Sequence, residues 1–157
     1  MKYAIIDLEW SGKPYENIVQ IGGIKFDEKN KEISRFYKVV RPSVQLRQDE
    51  LDFMHLSADE ANSGISITSA ARQLIFWLGG CRELIVWSPD AQQMLYKFLC
   101  RYEDPMYHKI TVLQYEYARQ VGGISFAKVC KKFGIKICTP LHISINDCVY
   151  LASVYRI

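Results

Sequence analysis

The stretch YAIIDLEW, residues 3–10, decides the fold and points to the chemistry. Its apolar run with β-branched residues predicts a strand buried on both faces. Asp7 and Glu9 interrupt that run two residues apart. On a strand, a period of two puts both side chains on the same face. Two like charges on one face of a buried strand are costly unless a cation or a donor compensates them. The pair therefore reads as part of a divalent-cation site. The plainer alternative is a strand-end Asp7 beside a solvated Glu9.

Outward from that strand, NIVQIGGIKFD (17–27) predicts a second strand and the alternating EISRFYKVV (32–40) a third. The short polar connection DEKNK (27–31) makes those two an antiparallel hairpin, and Pro42 ends the unit. Residues 43–66 mix acids, serines and isolated apolar side chains, which predicts short helical turns and loop. TSAARQLIFWLGG (68–80) has helical apolar spacing and a Gly-Gly stop. ELIVW (83–87) predicts a fourth strand. Ser88 and Pro89 then supply the N-cap and first turn of a helix running to about Leu99. KITVL (109–113) reads as a fifth strand or as the lead into a helix over 114–120. After Gly122 and Gly123, ISFAKVCKKFG (124–134) predicts a helix closed by Gly134. A last helix starts near Ser144, with Ile145, Val149, Ala152 and Tyr155 on its apolar side. Three consecutive strands followed by strands alternating with helices predict an α/β fold. Its mixed central sheet would have about five strands, the first three antiparallel, flanked by helices. No repeat, low-complexity tract or linker divides the chain, so one domain is expected over residues 1–157.

The bulk numbers narrow the class. At 49% hydrophobic and 24% charged over 157 residues, the chain can bury a real core and is not of disordered composition. A net charge of +3 is compatible with a polyanionic partner without identifying one. No apolar stretch reaches the roughly 18 residues that span a bilayer, and no cleavage site follows MKYAIIDLEW, so no membrane partner is expected. The five cysteines form no CxxC pair, which argues against a zinc ribbon or disulfide framework and for reduced thiols in a cytoplasmic protein.

Three further residues belong with Asp7 and Glu9. Asp90 follows Ser-Pro at a predicted helix start, just after a buried strand, where α/β layers present ligand-binding loops. The helix dipole alone would also account for an acid there. His142 and Asp147 lie five residues apart, too far round a helix to share a face. Ser144-Ile-Asn-Asp147 fits a capping-box pattern, which puts Asp147 in the first turn and leaves His142 on a mobile loop before it. The alternative is a capping Asp and an unrelated surface His. His55 and His108 lack such company, and Lys128, Lys131, Lys132 and Lys136 read as a solvated helix face that could also meet a phosphate backbone.

Taken together, these residues resemble the DEDDh family of 3′→5′ exonucleases, which have a ribonuclease H-like fold. Asp7 and Glu9 match the family's Asp-x-Glu, Asp90 in WSPDAQQML its second motif, and His142 with Asp147 its His followed five residues later by Asp. ENIVQIGGIKFD looks like the family's second strand, and GGISFAKVCKKFGIKI like the helix before its final motif. The Trp-x-x-Asp form of the second motif looks most like the branch of RNA-trimming and KapD-like proteins. Two departures stand out. Trp10 replaces a small hydroxylated residue, and Ile143-Ser144-Ile145 stands where Ala and Leu are common. Neither removes a ligand. Trp10 would either stack on a terminal base or pack at the strand end.

The resemblance implies a metal-dependent hydrolase. Asp7, Glu9, Asp90 and Asp147 would hold two divalent ions, Mg²⁺ or Mn²⁺, about 3.5–4 Å apart. His142 would act as general base. The substrate would be the 3′ end of single-stranded RNA or DNA, released as nucleoside 5′-monophosphates. Two other readings stay open: a catalytically silent nucleic-acid-binding module on the same fold, and a phosphodiesterase for short oligonucleotides.

Overall fold

The computed structural model describes residues 2–12, 17–102, 108–121 and 125–156, with side chains outside 118–121. Among these residues, five strands form one sheet in the order β3-β2-β1-β4-β5. They are β1 (Lys2–Trp10), β2 (Ile18–Phe26), β3 (Glu32–Val39), β4 (Cys81–Val86) and β5 (Lys109–Val112). β1 pairs antiparallel with β2, and β2 with β3. β4 lies parallel to β1, and β5 parallel to β4. The mixed sheet expected from the sequence is the one observed.

Among the described residues, seven helices join or follow the strands: α1 (Gln48–Phe53), α2 (Ala58–Ser63), α3 (Ile67–Leu78), α4 (Pro89–Tyr102), α5 (Leu113–Val121), α6 (Phe126–Lys132) and α7 (Ser144–Tyr155). Residues 109–113 resolve into both alternatives, since β5 ends at Val112 and α5 starts at Leu113. Ser88 Oγ accepts from the Ala91 N–H, which sets the start of α4. Gly134 closes α6 with φ +68°, whereas Gly122, Gly123 and Ile124 lie outside the described residues.

The alternation of β1 builds two cores. Ala4, Ile6 and Leu8 face α3 and α4, where they meet Leu74, Leu78, Leu95 and Phe98. Tyr3 and Ile5 face the other way, toward Val129 and Cys130 of α6 and Cys148 and Leu151 of α7. Each fully buried aliphatic side chain contributes about 1.5–3 kcal/mol, so both faces are well specified. Asp7 and Glu9 continue the odd-numbered row of β1, and period two aims them at the start of α7.

One residue of an expected helix face is corrected. The sequence pattern put Ile145, Val149, Ala152 and Tyr155 inward, yet Val149 is exposed. Ala152 is buried as expected, with Ile145 and Tyr155 partly buried against the same core, and Asp147, Cys148, Leu151 and Val154 complete the buried face in place of Val149. On this face Asp147 lines the same cleft as the acids of β1. Among the described residues, no helix is long and apolar enough to cross a membrane.

Candidate active site

A cleft of about 320 Å³ opens at the end of β1, lined by Asp7, Glu9, Trp10, Phe53, His142 and Asp147 among others. β1 supplies the first three of these: its pleat puts Asp7 and Glu9 on one face, and Trp10 follows the register shift after Glu9. The first turn of α7 supplies Asp147, and the residue two before that helix supplies His142. Glu9, His142 and Asp147 each offer one ligand atom, and these atoms lie within 4.8 Å of one another. His142 Nδ1 is 3.6 Å from Glu9 Oε1.

Electrostatics mark the cluster as unfinished. Burial pushes Asp7 well above the usual carboxylate range, and the Glu9 and Asp147 charges push it further. Asp147 rises to about 6, chiefly through burial, against the lowering effect of the His142 N–H. His142 is raised by the Glu9 carboxylate beside it. Among the described residues, the buried oxygens Asp7 Oδ2 and Asp147 Oδ1 have no hydrogen-bond partner. Such unpaired buried acceptors cost free energy that a cation would recover. Hard oxygen donors with one imidazole fit a divalent ion.

The entrance to α7 differs from the capping box read from sequence. Ile143 is the N-cap and makes no side-chain cap. Ser144 is already helical, and among the described residues its buried Oγ has no partner. Asp147 Oδ2 reaches back past the cap to accept from the His142 N–H at 2.9 Å. His142 takes φ +64°, a left-handed conformation rare for a residue with a side chain. Its ring stacks on Phe53 with centroids 3.8 Å apart. The imidazole is held between α1 and α7, where the sequence suggested a mobile loop.

Asp90 is not brought into this cluster. It is exposed in the first turn of α4, although Ser88 and Ala91 on either side of it line the cleft. Trp10 lines the cleft and also packs against the α3–α4 core. Trp87 and Phe126, with ring centroids 5.0 Å apart, extend the aromatic lining.

The sequence reading passed over Gln20, Gly22 and Phe53. Gln20 pairs with Glu9 and Gly22 with Asp7 across the β1–β2 ladder. A signal was available for Gln20, because a lone amide in a strand buried at every position needs buried partners. Phe53 carried no such signal, for its value comes from meeting His142, 89 positions away.

A mixed sheet with acids on its first strand, faced by an acid and an imidazole at its last helix, is a ribonuclease H-like hydrolase arrangement. Residues 4–155 match the exonuclease family of the RNase T type, and the chain belongs to that family. It is therefore an enzyme of phosphodiester hydrolysis, and the resemblance drawn from five residues holds at the level of the family. No curated protein matches in sequence. Among solved structures, the nuclease domain of 3′hExo, a DEDDh family member bound to rAMP, superposes with a TM-score of 0.80 at 16% identity, over 98% of this chain and 89% of that one. Exonuclease I of E. coli in complex with a dT13 oligonucleotide gives 0.80 at 11% identity, over 99% of this chain but 40% of that one. Exonuclease X in complex with 5′ overhanging duplex DNA gives 0.71 at 17% identity, over 98% and 88%. At these identities the likeness is one of fold.

Proposed function

We propose that the chain is a divalent-metal-dependent 3′→5′ exonuclease that removes nucleoside 5′-monophosphates from single-stranded RNA or DNA. The convergence of Asp7, Glu9, Asp147 and His142 in one cleft, with two buried carboxylate oxygens unpaired, carries this reading. Binding of rAMP and oligonucleotides by structurally similar proteins supports a nucleic-acid substrate. A cytoplasmic setting agrees with five free cysteines.

Asp7, Glu9 and Asp147 would hold two Mg²⁺ or Mn²⁺ ions, with Asp90 joining from the mouth of the cleft. Bound there, such ions lower the pKa of water and neutralise charge on the phosphate oxygens. His142 takes a proton from the attacking water as the new P–O bond forms. The bond from phosphorus to the 3′-oxygen of the preceding nucleotide breaks, and that oxygen takes a proton from solvent. Glu9 keeps the imidazole oriented. Trp10, Phe53, Trp87 and Phe126 give the splayed terminal base apolar faces, and stacking contributes about 1–3 kcal/mol without sequence preference. A cleft that accepts one unpaired nucleotide favours single-stranded ends.

The test is a degradation time course on matched RNA and DNA single strands carrying 3′ or 5′ label, in Mg²⁺, Mn²⁺ or EDTA. Labelled mononucleotide should appear at once from the 3′-labelled strand, and a descending ladder from the 5′-labelled one. EDTA should stop both. Metal-stimulated binding without cleavage would favour a silent module, and cleavage of dinucleotides alone an oligonucleotide phosphodiesterase.

A further inference from the structure

We propose that Gln20 is a positioning residue that holds His142 in its working place, an inference that rests on the reading of His142 as the base. Gln20 is fully buried, with 0% exposure, in the middle of the sheet opposite Glu9. A buried amide is stable only where its donors and acceptor are used. Its Nε2 donates to the Met54 carbonyl at 2.7 Å. Its Oε1 accepts from the Ser144 N–H at 3.2 Å and from the Tyr37 hydroxyl at 3.3 Å. These partners fix which way the amide points, because a carbonyl only accepts and an N–H only donates.

The two ends of that amide lead to the same ring. Met54 caps α1, and the residue before it, Phe53, stacks on His142. Ser144 opens α7 two residues after His142. One side chain thus ties together the two segments that clamp the imidazole, from directly across the strand ladder that carries Glu9. The strained φ of His142 needs such support, because a side-chain-bearing residue leaves the left-handed region unless its surroundings hold it there. Tyr37 and Ser144 share the one oxygen, so the acceptor arm anchors β3 as well as α7.

Two variants separate the arms. Gln20→Met keeps the volume and removes every hydrogen bond. Gln20→Glu keeps the acceptor for Ser144 and loses the amide donor to Met54. The direct readout is the proton NMR of the His142 ring: its stacking on Phe53, with centroids 3.8 Å apart, should shift its carbon-bound protons upfield through the ring current. With three histidines in the chain, loss of one set of signals in His142→Ala assigns them. In Gln20→Met these signals should move downfield. On a single-stranded substrate kcat should fall about 10- to 100-fold with KM within about twofold, the pattern of a misplaced base. Gln20→Glu should fall between Gln20→Met and wild type in both measurements. Circular dichroism establishes that each variant is folded, and if Gln20→Met is not, Gln20→Glu decides by the same two readouts. Unmoved His142 signals, an unchanged kcat, or a rise in KM alone in a folded variant would overturn the proposal. If the wild type cleaves no strand, the exonuclease reading fails separately, while the ring signals still decide whether Gln20 positions His142.

Discussion

The backbone of Ser144 fills the space that a side chain on Gly22 would need: a Cβ there would lie 2.4 Å from the Ser144 carbonyl carbon. It would also lie 2.5 Å from the Ile145 nitrogen, so no flexible side chain could move aside. Gly22 pairs with Asp7, which makes this contact the seat that brings the first turn of α7 against the acids. Gly22→Ala should therefore destabilise the fold by about 1–3 kcal/mol, the usual cost of overpacking. It should also lift Asp147 away from Asp7. Urea unfolding with and without Mn²⁺ checks both effects. An unchanged midpoint together with an unchanged Mn²⁺ shift would show that α7 is seated elsewhere.

Asp7→Asn should stabilise the metal-free protein at neutral pH. Burial, Glu9 and Asp147 all raise Asp7 in the folded state. The folded chain then binds a proton that the unfolded chain releases, so stability falls as pH climbs from the unfolded pKa toward the folded one. Asp147, raised to about 6, acts in the same direction. The gain from Asp7→Asn should be largest at pH 7–8 in EDTA and vanish near pH 4. A gain of 1 kcal/mol corresponds to about 2–4 °C in Tm for a chain of this size. Mn²⁺ should raise the Tm of the wild type and leave that of Asp7→Asn nearly unmoved. Thermal scans across pH in both conditions provide the measurement.

His142→Ala should separate catalysis from metal binding. The carboxylates of Asp7, Glu9 and Asp147 remain, so the Mn²⁺-induced Tm shift should persist. Loss of a general base typically costs about 10²- to 10⁴-fold in rate. Single-turnover degradation at saturating enzyme gives the chemical step. Near-wild-type turnover would remove His142 from the proton transfer.

The exposed lysines of α6 give a prediction about the strand beyond its end. Lys128, Lys131 and Lys132 are exposed on a helix whose first residue, Phe126, lines the cleft. If they meet upstream phosphates, changing all three to Gln should reduce the slope of log affinity against log salt by about 2, at roughly 0.7 per phosphate on a single strand. KM for a dinucleotide should stay constant while KM for a longer strand rises. An unchanged salt slope would return these residues to a solvated face.

The particular residues show what could be read from sequence and what could not. β1, β2 and β3 were legible because their hydrophobic period and polar turns are local signals. The direction of Asp7 and Glu9 was legible for the same reason, since a strand fixes side-chain direction within two residues. One position of the α7 face was not, because Val149 and Cys148 are both apolar and only the packing of Cys148 against β1 and α6 selects which is buried. The seat of α7 on Gly22 and the stack of Phe53 on His142 were also hidden. Each depends on two segments far apart in the chain: the Gly22-Gly23 pair inside a strand signals a close backbone approach without naming the segment that makes it, and Phe53 leaves no local mark. Gln20 lies between these cases: its misfit in an apolar strand was visible, but its partners were not.

Asp90 is where the family pattern and the observed geometry diverge, and one substitution can decide between them. It sits exposed in the first turn of α4, outside the Glu9–His142–Asp147 cluster, yet its neighbours Ser88 and Ala91 line the cleft. A carboxylate at a helix start contributes about 0.3–1 kcal/mol through the dipole. That role predicts only a small Tm decrease in Asp90→Asn, with kcat/KM preserved. A ligand role predicts little change in Tm, a kcat lower by about 100-fold or more, and a higher Mn²⁺ concentration for half-maximal activity. We expect the second outcome, because the first turn of α4 flanks the acids at the cleft and a bound ion would draw the carboxylate inward. Activity titrated with Mn²⁺, in parallel with thermal scans of the same Asp90→Asn preparation, distinguishes the two. Preserved turnover at low Mn²⁺ would leave Asp7, Glu9 and Asp147 as the whole carboxylate set.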